Sequence, residues 1–263
     1  MKRIYRIDHR GTPRHAIEEQ GRWRLLEGDL FDGYEAGGEI AASGHRLLAP
    51  IVPSKIVAIG LNYKDHAAEQ NKALPKEPMM FIKPSTAVIG PEDPILLPEG
   101  AGRIEHEAEV GVVIGRRAFH VSEDRAREYV LGLTCVNDVT ARELQAKDVQ
   151  YTRAKGFDTF APLGPCIAMG IDYRAAAGVP VEGWVNGERR QASSTQQLIF
   201  SIDTLVAFVS RVMTLLPGDI ISTGTPAGVG RLEAVDRVTI KVDGVGELSN
   251  PVARDVTLRG ARS

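Results

Sequence analysis

The sequence predicts an α+β protein that is mostly β, with few helices and a small β-rich unit ahead of a larger domain. Three observations predict this class. Most apolar segments are short and rich in β-branched residues, helical spacing is rare, and strands and helices do not alternate as they would in a doubly wound sheet. The 263 residues suffice for one large domain with an appendage.

The amino-terminal part of the chain contains short strand signals separated by turn residues. Residues 2–7, 15–19 and 22–26 are predicted strands, and Gln20-Gly21 is a predicted turn between two of them. A Gly-rich stretch follows. Such a series of short strands is typical of a small β-rich unit.

Two prolines separate this unit from the rest of the chain. Pro50 and Pro53 come directly before the compact apolar strand predicted at 55–61. We therefore predict a small N-terminal β-rich subdomain over residues 1–53 and a larger main domain over residues 54–263.

The main domain is predicted to contain mainly extended segments and three helices. Helical spacing runs from 201 to 216 and stops at Pro217-Gly218, the pair Thr140 and Glu143 has the spacing of a capping box that opens a helix through about residue 150, and a third helix covers 123–130. The predicted strands are 79–83, 87–90, 110–114, 133–137, 164–169, 181–185, 219–222 and 237–242.

Composition excludes several classes of partner. Hydrophobic residues make up 43% of the chain, charged residues 25%, and the net charge is −2, so neither a nucleic-acid footprint nor an amphipathic membrane anchor is present. No signal-peptide core or bilayer-spanning stretch is found. Cys135 and Cys166 lie in apolar segments, which favours buried thiols and a reducing compartment. We expect a cytoplasmic protein that binds a small molecule.

Three carboxylates form the first candidate site. Glu107 and Glu109 stand two residues apart at the start of an apolar run, so a strand would project both from one side. Like charges held close are best tolerated when a cation lies between them. Asp138 ends a predicted strand just before a helix and supplies a third acid. Solvated strand-edge glutamates and a local turn aspartate are the alternative interpretation.

The ligand chemistry of this triad would be purely oxygen. Such a set suits Mg²⁺ or Mn²⁺, and also Ca²⁺, and leaves positions for water and substrate. Zinc is disfavoured because His-Glu-x-x-His and Cys-x-x-Cys are absent from the sequence, and because His106 would face away from Glu107 in a strand.

A histidine and a glutamate form the second candidate site. His66 and Glu69 lie three residues apart, so on a helical turn the carboxylate can orient the imidazole and raise its basicity. The pattern predicts a general-base dyad. An exposed His–Glu pair on a surface helix is the alternative.

Cationic and polar side chains follow Asp138. Arg142 and Gln145 share a helical face, and Lys155 beside Gly156 could stabilise negative charge on a substrate. Solvated helix charges are the alternative. Farther along, residues 217–230 predict a strand that enters a Gly-rich turn, whose amides could hold a carboxylate or serve only as a tight turn.

Taken in this order, the motifs resemble those of the fumarylacetoacetate hydrolase family over roughly residues 54–253. The combination is far more specific than any single motif. The matching segments are Gly60-Leu-Asn-Tyr-Lys-Asp-His66-Ala-Ala-Glu69, Glu107-Ala-Glu109-Val110, Asn137-Asp-Val-Thr-Ala-Arg142, Lys155-Gly-Phe-Asp-Thr-Phe160 and Gly224-Thr-Pro-Ala-Gly228.

The resemblance implies a fold and a set of residue roles. The fold would be a mixed β-roll of layered sheets, and the protein a homodimer, in the branch of bacterial acylpyruvate hydrolases and 2-hydroxyhepta-2,4-diene-1,7-dioate isomerases. Lys155 would lie beside a metal-bound oxyanion, with His66 and Glu69 in a lid. The metal ligands would be Glu107, Glu109 and Asp138, and the substrate contacts Arg142, Gln145, Thr159 and Thr225.

The expected activity is divalent-metal-dependent hydrolysis of a C–C bond in an acylpyruvate, a 2-oxo acid, through a metal-bound enolate, with water activated by the His66–Glu69 dyad. The same site would serve a decarboxylase or isomerase of a dicarboxylate such as oxaloacetate or a 5-carboxymethyl-2-hydroxymuconate of aromatic catabolism, so these alternatives stay open. A non-catalytic protein that binds metal or 2-oxo acids is the second alternative.

Overall fold

Strands form most of the regular structure in the computed structural model, which describes residues 1–255. The predicted class, a mostly β fold with few and short helices, is confirmed. The first ten strands are Lys2–His9 (β1), Thr12–Glu19 (β2), Arg22–Asp29 (β3), Gly33–Ile40 (β4), Arg46–Leu48 (β5), Ile56–Ile59 (β6), Met80–Lys83 (β7), Val88–Ile89 (β8), Ile95–Leu97 (β9) and Ile104–His106 (β10).

The later strands and the helices complete the described chain. The strands are Ala108–Ile114 (β11), Val130–Asn137 (β12), Thr140–Ala141 (β13), Ala161–Met169 (β14), Pro180–Val185 (β15), Glu188–Ser194 (β16), Ile220–Ser222 (β17), Gly230–Arg231 (β18), Arg237–Val242 (β19) and Gly246–Arg254 (β20). The α-helices are Lys64–Glu69 (α1), Arg142–Lys147 (α2), Thr152–Lys155 (α3) and Ile202–Val212 (α4), and 3₁₀ turns cover Ser85–Ala87, Glu123–Tyr129 and Thr195–Gln197.

The strands form three sheets. The largest has 12 strands in the order β4-β3-β2-β1-β14-β12-β11-β17-β6-β7, with β5 paired to β1 and β8 to β14. A 3-stranded sheet is ordered β13-β10-β18, and a 5-stranded sheet is ordered β16-β15-β19-β20-β9. Most pairs are antiparallel, whereas β17 with β6, β14 with β8 and β20 with β9 run parallel. The fold is therefore mixed.

Strand β11 lies inside the largest sheet, between β12 and β17. All seven of its residues are buried. Such continuous burial explains its run of apolar, β-branched residues, since a strand covered on both faces has no need of a polar side. The carboxylate of Glu109 is consequently carried into the interior by a strand that apolar packing holds in place.

The N-terminal strands extend the same sheet. β1 to β4 form an antiparallel meander. One edge of β1 is divided between two partners: Lys2–Ile4 pairs with Ile167–Met169 of β14, and Arg6–Asp8 pairs with Arg46–Leu48 of β5. The division at residue 53 stays a prediction, and residues 256–263 of the predicted main domain lie outside the described part of the chain.

The longest α-helix ends earlier than its apolar stripe predicts. α4 begins after Ser201, whose Oγ accepts a hydrogen bond from the Thr204 amide at 3.1 Å. It ends at Val212, and the prediction of a helix to 216 is wrong because Leu215 instead exchanges backbone hydrogen bonds with Ala118. A tertiary strand-like pairing thus replaces the last helical turn.

Two other segments predicted as helices also have a different structure. The segment 123–130 forms a 3₁₀ turn rather than an α-helix. The capping box is wrong, because Thr140 lies in β13 opposite Glu105 and its Oγ1 donates to the Asp138 carbonyl at 2.8 Å. Helix α2 therefore begins at Arg142 without a side-chain cap and ends at Lys147.

The structure also bears on the predictions about the cysteines and about membrane-spanning segments. Cys135 and Cys166 are buried free thiols, as predicted. Among the helices in residues 1–255, none is long and apolar enough to cross a membrane.

Candidate metal centre and active site

A cavity of about 520 Å³ lies beside the start of β11. Its walls come from α1 and the turn after it, from β10 and β11, from α2 and α3, and from the loop after β17. The predicted site residues that line it are His66, Glu69, Glu107, Glu109, Arg142, Gln145, Lys155 and Thr225. Residues separated by up to 159 positions in the sequence thus share one concave surface.

The three predicted carboxylates converge beside this cavity, whose wall includes Glu107 and Glu109 but not the fully buried Asp138. One oxygen from each of Glu107, Glu109 and Asp138 lies within 4.8 Å of the other two, and all three residues are buried. Glu109 lies in β11 opposite Val136 of β12, which is two residues before Asp138. The Asp138 amide also donates to the Glu107 carbonyl at 3.0 Å, so the ladder between β11 and β12 fixes the triad.

Lys155 bridges two members of the triad. Its Nζ lies 2.8 Å from Oε2 of Glu107 and 2.7 Å from Oδ2 of Asp138, and 5.0 Å from the ring centre of Phe81. Burial alone would lower the pKa of the ammonium, but the two carboxylates outweigh it and raise the pKa of Lys155 above its ordinary value. Lys155 is therefore a buried cation.

Arg142 holds the outer face of Glu107. Its Nη2 lies 2.6 Å from Oε1 of Glu107, its Nε lies 2.6 Å from Oε2 of Glu105, and its Nη1 donates to Oε1 of Gln145 at 2.5 Å. Helix α2 brings Arg142 and Gln145 to the same cavity wall, as their spacing predicts. Their contact with a substrate stays a prediction.

A second buried lysine, which was not predicted, lies beside Asp138. Lys83, at the end of β7, is fully buried and its Nζ donates to Oδ1 of Asp138 at 2.5 Å and to the Val139 carbonyl at 3.2 Å. Burial and the nearby charge of Lys155 lower its pKa, against the opposing effect of Asp138. A lysine at the end of an otherwise apolar strand was the available sequence signal.

The electrostatics of the triad suit a divalent cation. Burial tends to raise the pKa of Glu107, but Lys155 and Arg142 together hold it below the ordinary range. For Glu109, burial and then the charges of Asp138 and Glu107 raise the pKa to about 8. Within residues 1–255, Glu109 forms no ion pair with a cation, and its Oε2 accepts from the Ser222 hydroxyl and the Gly224 amide.

The chemistry of the donor set agrees with this assignment. Three buried carboxylates with converging oxygens are ligands that Mg²⁺, Mn²⁺ and Ca²⁺ accept. A carboxylate oxygen has two lone pairs, so the hydrogen bonds from lysine and arginine leave room for coordination. Glu107, Glu109 and Asp138 could therefore hold a divalent cation.

The predicted dyad is formed on α1. Nδ1 of His66 lies 2.9 Å from Oε2 of Glu69, and the side-chain amide of Gln70 donates to Nε2 of His66 at 2.7 Å. Since a carboxylate accepts and an amide nitrogen donates, these partners put the ring proton on Nδ1 and a lone pair on Nε2. The Gly228 amide donates to Oε1 of Glu69 at 3.0 Å and joins α1 to the Gly-rich loop.

A glutamine that was not predicted to belong to the site joins that loop to the triad segment. Gln191 on β16 is buried, and its Oε1 accepts from the Ala108 amide at 2.9 Å and from Nδ1 of His106 at 3.1 Å. Its Nε2 donates to Oγ1 of Thr225 at 2.8 Å, and Thr225 donates to the Ala108 carbonyl at 3.0 Å. No local pattern marks Gln191, because its partners are distant in sequence.

Among the four predicted substrate contacts, Thr159 is the one that does not line the cavity. Its Oγ1 accepts a hydrogen bond from the Leu96 amide at 2.9 Å, and its φ of 69° places it in the left-handed region. Thr159 is absent from the cavity wall, so its contact with a substrate stays a prediction.

The fold and the cavity define a class of protein: a mixed β fold with a buried, oxygen-rich acidic site beside a histidine–carboxylate pair. The chain belongs to the fumarylacetoacetate hydrolase family, because the model described as "Fumarylacetoacetate (FAA) hydrolase C-terminal" matches residues 55–253. A second model, "Rv2993c-like, N-terminal", matches residues 2–50. The family resemblance is thereby confirmed.

Three similar proteins indicate the range of chemistry in this family. The structure of 5-carboxymethyl-2-hydroxymuconate delta-isomerase from Mycobacterium smegmatis has a TM-score of 0.89 and 44% identity, over 96% of this chain and 100% of that one. "Oxaloacetate tautomerase fahd2, mitochondrial" from Xenopus laevis is 41% identical over 81% of this chain and 70% of its own length.

The third protein carries a metal. Maleylpyruvate hydrolase from Sphingobium sp. SYK-6, in complex with manganese(II) and pyruvate, has a TM-score of 0.80 and 29% identity, over 96% of this chain and 99% of that one. These family members are enzymes: an isomerase, a tautomerase and a hydrolase. The family and its branch are thus known, whereas the reaction of this chain is not fixed by them.

Proposed function

We propose that this protein is a divalent-metal-dependent enzyme that forms the enolate of a 2-oxo dicarboxylic acid and moves a proton to and from it, as a tautomerase or isomerase. The observation that carries this proposal is that His66 lines the same cavity as Glu107 and Glu109, two members of the acidic triad. Proton transfer needs only a base and a stabilised oxygen. The isomerase and tautomerase relatives, at 44% and 41% identity, support it as well.

The base would be His66. Nε2 accepts the proton from C3 of the substrate, and the electrons of the C3–H bond form the C2=C3 double bond. Glu69 keeps the other ring nitrogen protonated and stabilises the imidazolium that results. Gln70 must release Nε2 for this step, and an exposed amide side chain can rotate away. Return of the proton to another atom of the enolate completes the reaction.

The negative charge would develop on the 2-oxygen of the substrate. A divalent cation held by the triad would supply a positive charge beside that oxygen and lower the energy of the enolate. Lys155 carries three N–H donors and uses two on Glu107 and Asp138, so the third can bind the same oxygen. Arg142 has five N–H donors, and those not used on its three protein partners can hold the adjacent carboxylate.

The test follows enol-oxaloacetate by ultraviolet absorbance, with Mg²⁺ or Mn²⁺ and with EDTA. Wild type should accelerate loss of the enol, and His66→Gln should lower kcat about a hundredfold or more while the fold is retained. Separate assays for CO₂ and pyruvate distinguish tautomerisation from decarboxylation. Unchanged turnover in His66→Gln, or full activity in EDTA, would contradict the proposal.

Hydrolysis of an acylpyruvate is the second candidate function. The same His66–Glu69 dyad can deprotonate water, whose attack on the distal carbonyl would release a pyruvate enolate into the same stabilising site. The maleylpyruvate hydrolase relative supports it. Release of pyruvate from acetylpyruvate or maleylpyruvate, without any effect on enol-oxaloacetate, would favour this candidate over the first.

A further inference from the structure

We propose that Lys72 binds the second carboxylate of the substrate and so makes the cavity selective for 2-oxo dicarboxylic acids over their monocarboxylic counterparts. The inference rests on the proposed function, since it assigns the far end of the same substrate. Lys72 lines the rim of the cavity and lies three residues after Glu69, in the turn that follows α1.

The backbone at Lys72 is fixed by the way α1 ends. Its amide donates to the Ala67 carbonyl at 2.9 Å, and the Asn71 amide donates to the Ala68 carbonyl at 3.1 Å. Asn71 has a φ of 51°, so the three observations describe a Schellman motif with asparagine in the left-handed position. The side chain of Lys72 therefore starts from a defined point beside His66 rather than from a free loop.

The other cations of the cavity already have carboxylate partners. Arg103 pairs with Glu105 at 3.0 Å, Arg142 pairs with Glu105 and Glu107, and Lys155 pairs with Glu107 and Asp138. Among the ion pairs and hydrogen bonds found in residues 1–255, none involves the ammonium of Lys72. Its exposed charge is available to a ligand.

The charge of the cavity wall matches a dianion. The wall, together with the buried Asp138 and its partner Lys83, carries five acidic and five basic side chains, whose formal charges cancel when His66 is neutral. A divalent cation bound by the triad would add two positive charges. One carboxylate beside the 2-oxo group neutralises one of them, and a second carboxylate at the far end of the substrate neutralises the other. Lys72 is the cation at the rim that such a group can reach without breaking an existing pair.

The test uses two five-carbon 2-oxo acids that differ only in the distal carboxylate. Binding of 2-oxoglutarate and of 2-oxopentanoate is measured by calorimetry in the presence of Mg²⁺, for wild type, Lys72→Met and Lys72→Glu. Affinity for 2-oxoglutarate should fall about threefold in Lys72→Met and about tenfold in Lys72→Glu, the size expected of an exposed ion pair and of its reversal. Affinity for 2-oxopentanoate should stay within about twofold.

Lys76 provides the matched control. It is another exposed lysine of the same loop but does not line the cavity, so Lys76→Glu should leave the preference for 2-oxoglutarate unchanged. The wild-type preference for 2-oxoglutarate should also weaken between 50 and 300 mM NaCl, because added salt shortens the Debye length and screens exposed charges. This preference should weaken less in Lys72→Met. For a substrate that turns over, KM for the dianion should rise with kcat retained.

Two outcomes would overturn the inference. One is an equal loss of affinity for both 2-oxo acids in Lys72→Glu, and the other is the same loss of affinity for 2-oxoglutarate in Lys76→Glu. Failure of the proposed function gives a different pattern. In that case the difference between the two acids would depend on Lys72, but no enol or acylpyruvate substrate would be turned over by wild type.

Discussion

Two groups of ionisable residues face the same cavity, and the protein holds them in different ways. The acidic triad and Lys155 are almost completely buried, and partners from several strands and helices fix each side chain. The dyad lies on the six-residue helix α1, and the Glu69 side chain is 44% exposed. The difference teaches that the acidic part of the site is built into the sheet, while the part proposed to transfer protons depends on a short helix at the surface.

Loss of Asp138 should have the largest effect in this comparison. Asp138→Ala leaves two buried lysines, Lys83 and Lys155, without a shared carboxylate, so the free energy of unfolding should fall by about 3–5 kcal/mol. Urea unfolding measures it. At a hundred times its Kd, Mg²⁺ should stabilise wild type by about 2.7 kcal/mol and the variant by nearly nothing. An equal stabilisation of both proteins by Mg²⁺ would contradict the metal assignment.

Removing the bridging ammonium should have the next largest effect. Lys155→Met keeps the length and apolar stem of the side chain but removes the positive charge beside the developing oxyanion. We expect kcat to fall about a hundredfold to a thousandfold. Lys147→Met, on the exposed end of α2, is the control and should retain wild-type kcat. If both variants had equal activity, Lys155 would be only a structural ion-pair partner.

The smallest effect should come from the exposed member of the dyad. Glu69→Gln retains a hydrogen-bond acceptor for Nδ1 of His66 but loses the negative charge, so kcat should fall about tenfold, part of what a general base contributes. The amide nitrogen of the glutamine then faces the Gly228 amide in place of an acceptor, so the free energy of unfolding should fall by about 1 kcal/mol. Glu77→Gln is the surface control. A large loss of stability in Glu69→Gln would mean that the two regions are held alike.

The parts of the site that the sequence predicted are those with a local signal. Glu107 and Glu109 share a period of two at the start of a buried strand, and His66 and Glu69 share a helical turn. Asp138 joins the triad because its strand pairs with that of Glu109. Local spacing therefore sufficed where a strand or one helical turn sets the geometry.

The parts that were missed depend on distant partners. Lys83 contacts a residue 55 positions away, and Gln191 contacts residues 34 or more positions away. The predicted end of α4 failed for the same reason, because Leu215 pairs with Ala118. The fold class could be predicted from the shortness of the apolar segments, whereas the order of strands in three sheets could not.

The divided edge of β1 has a consequence for synthesis of the chain. Residues 6–8 can pair with β5 soon after β5 is translated, but Lys2–Ile4 must wait for Ile167–Met169, which the ribosome delivers about 6–24 seconds later. During that interval half an edge is open to pairing with another nascent chain. Lys2 and Arg3 occupy this half, and their positive charges oppose such pairing until the proper strand arrives.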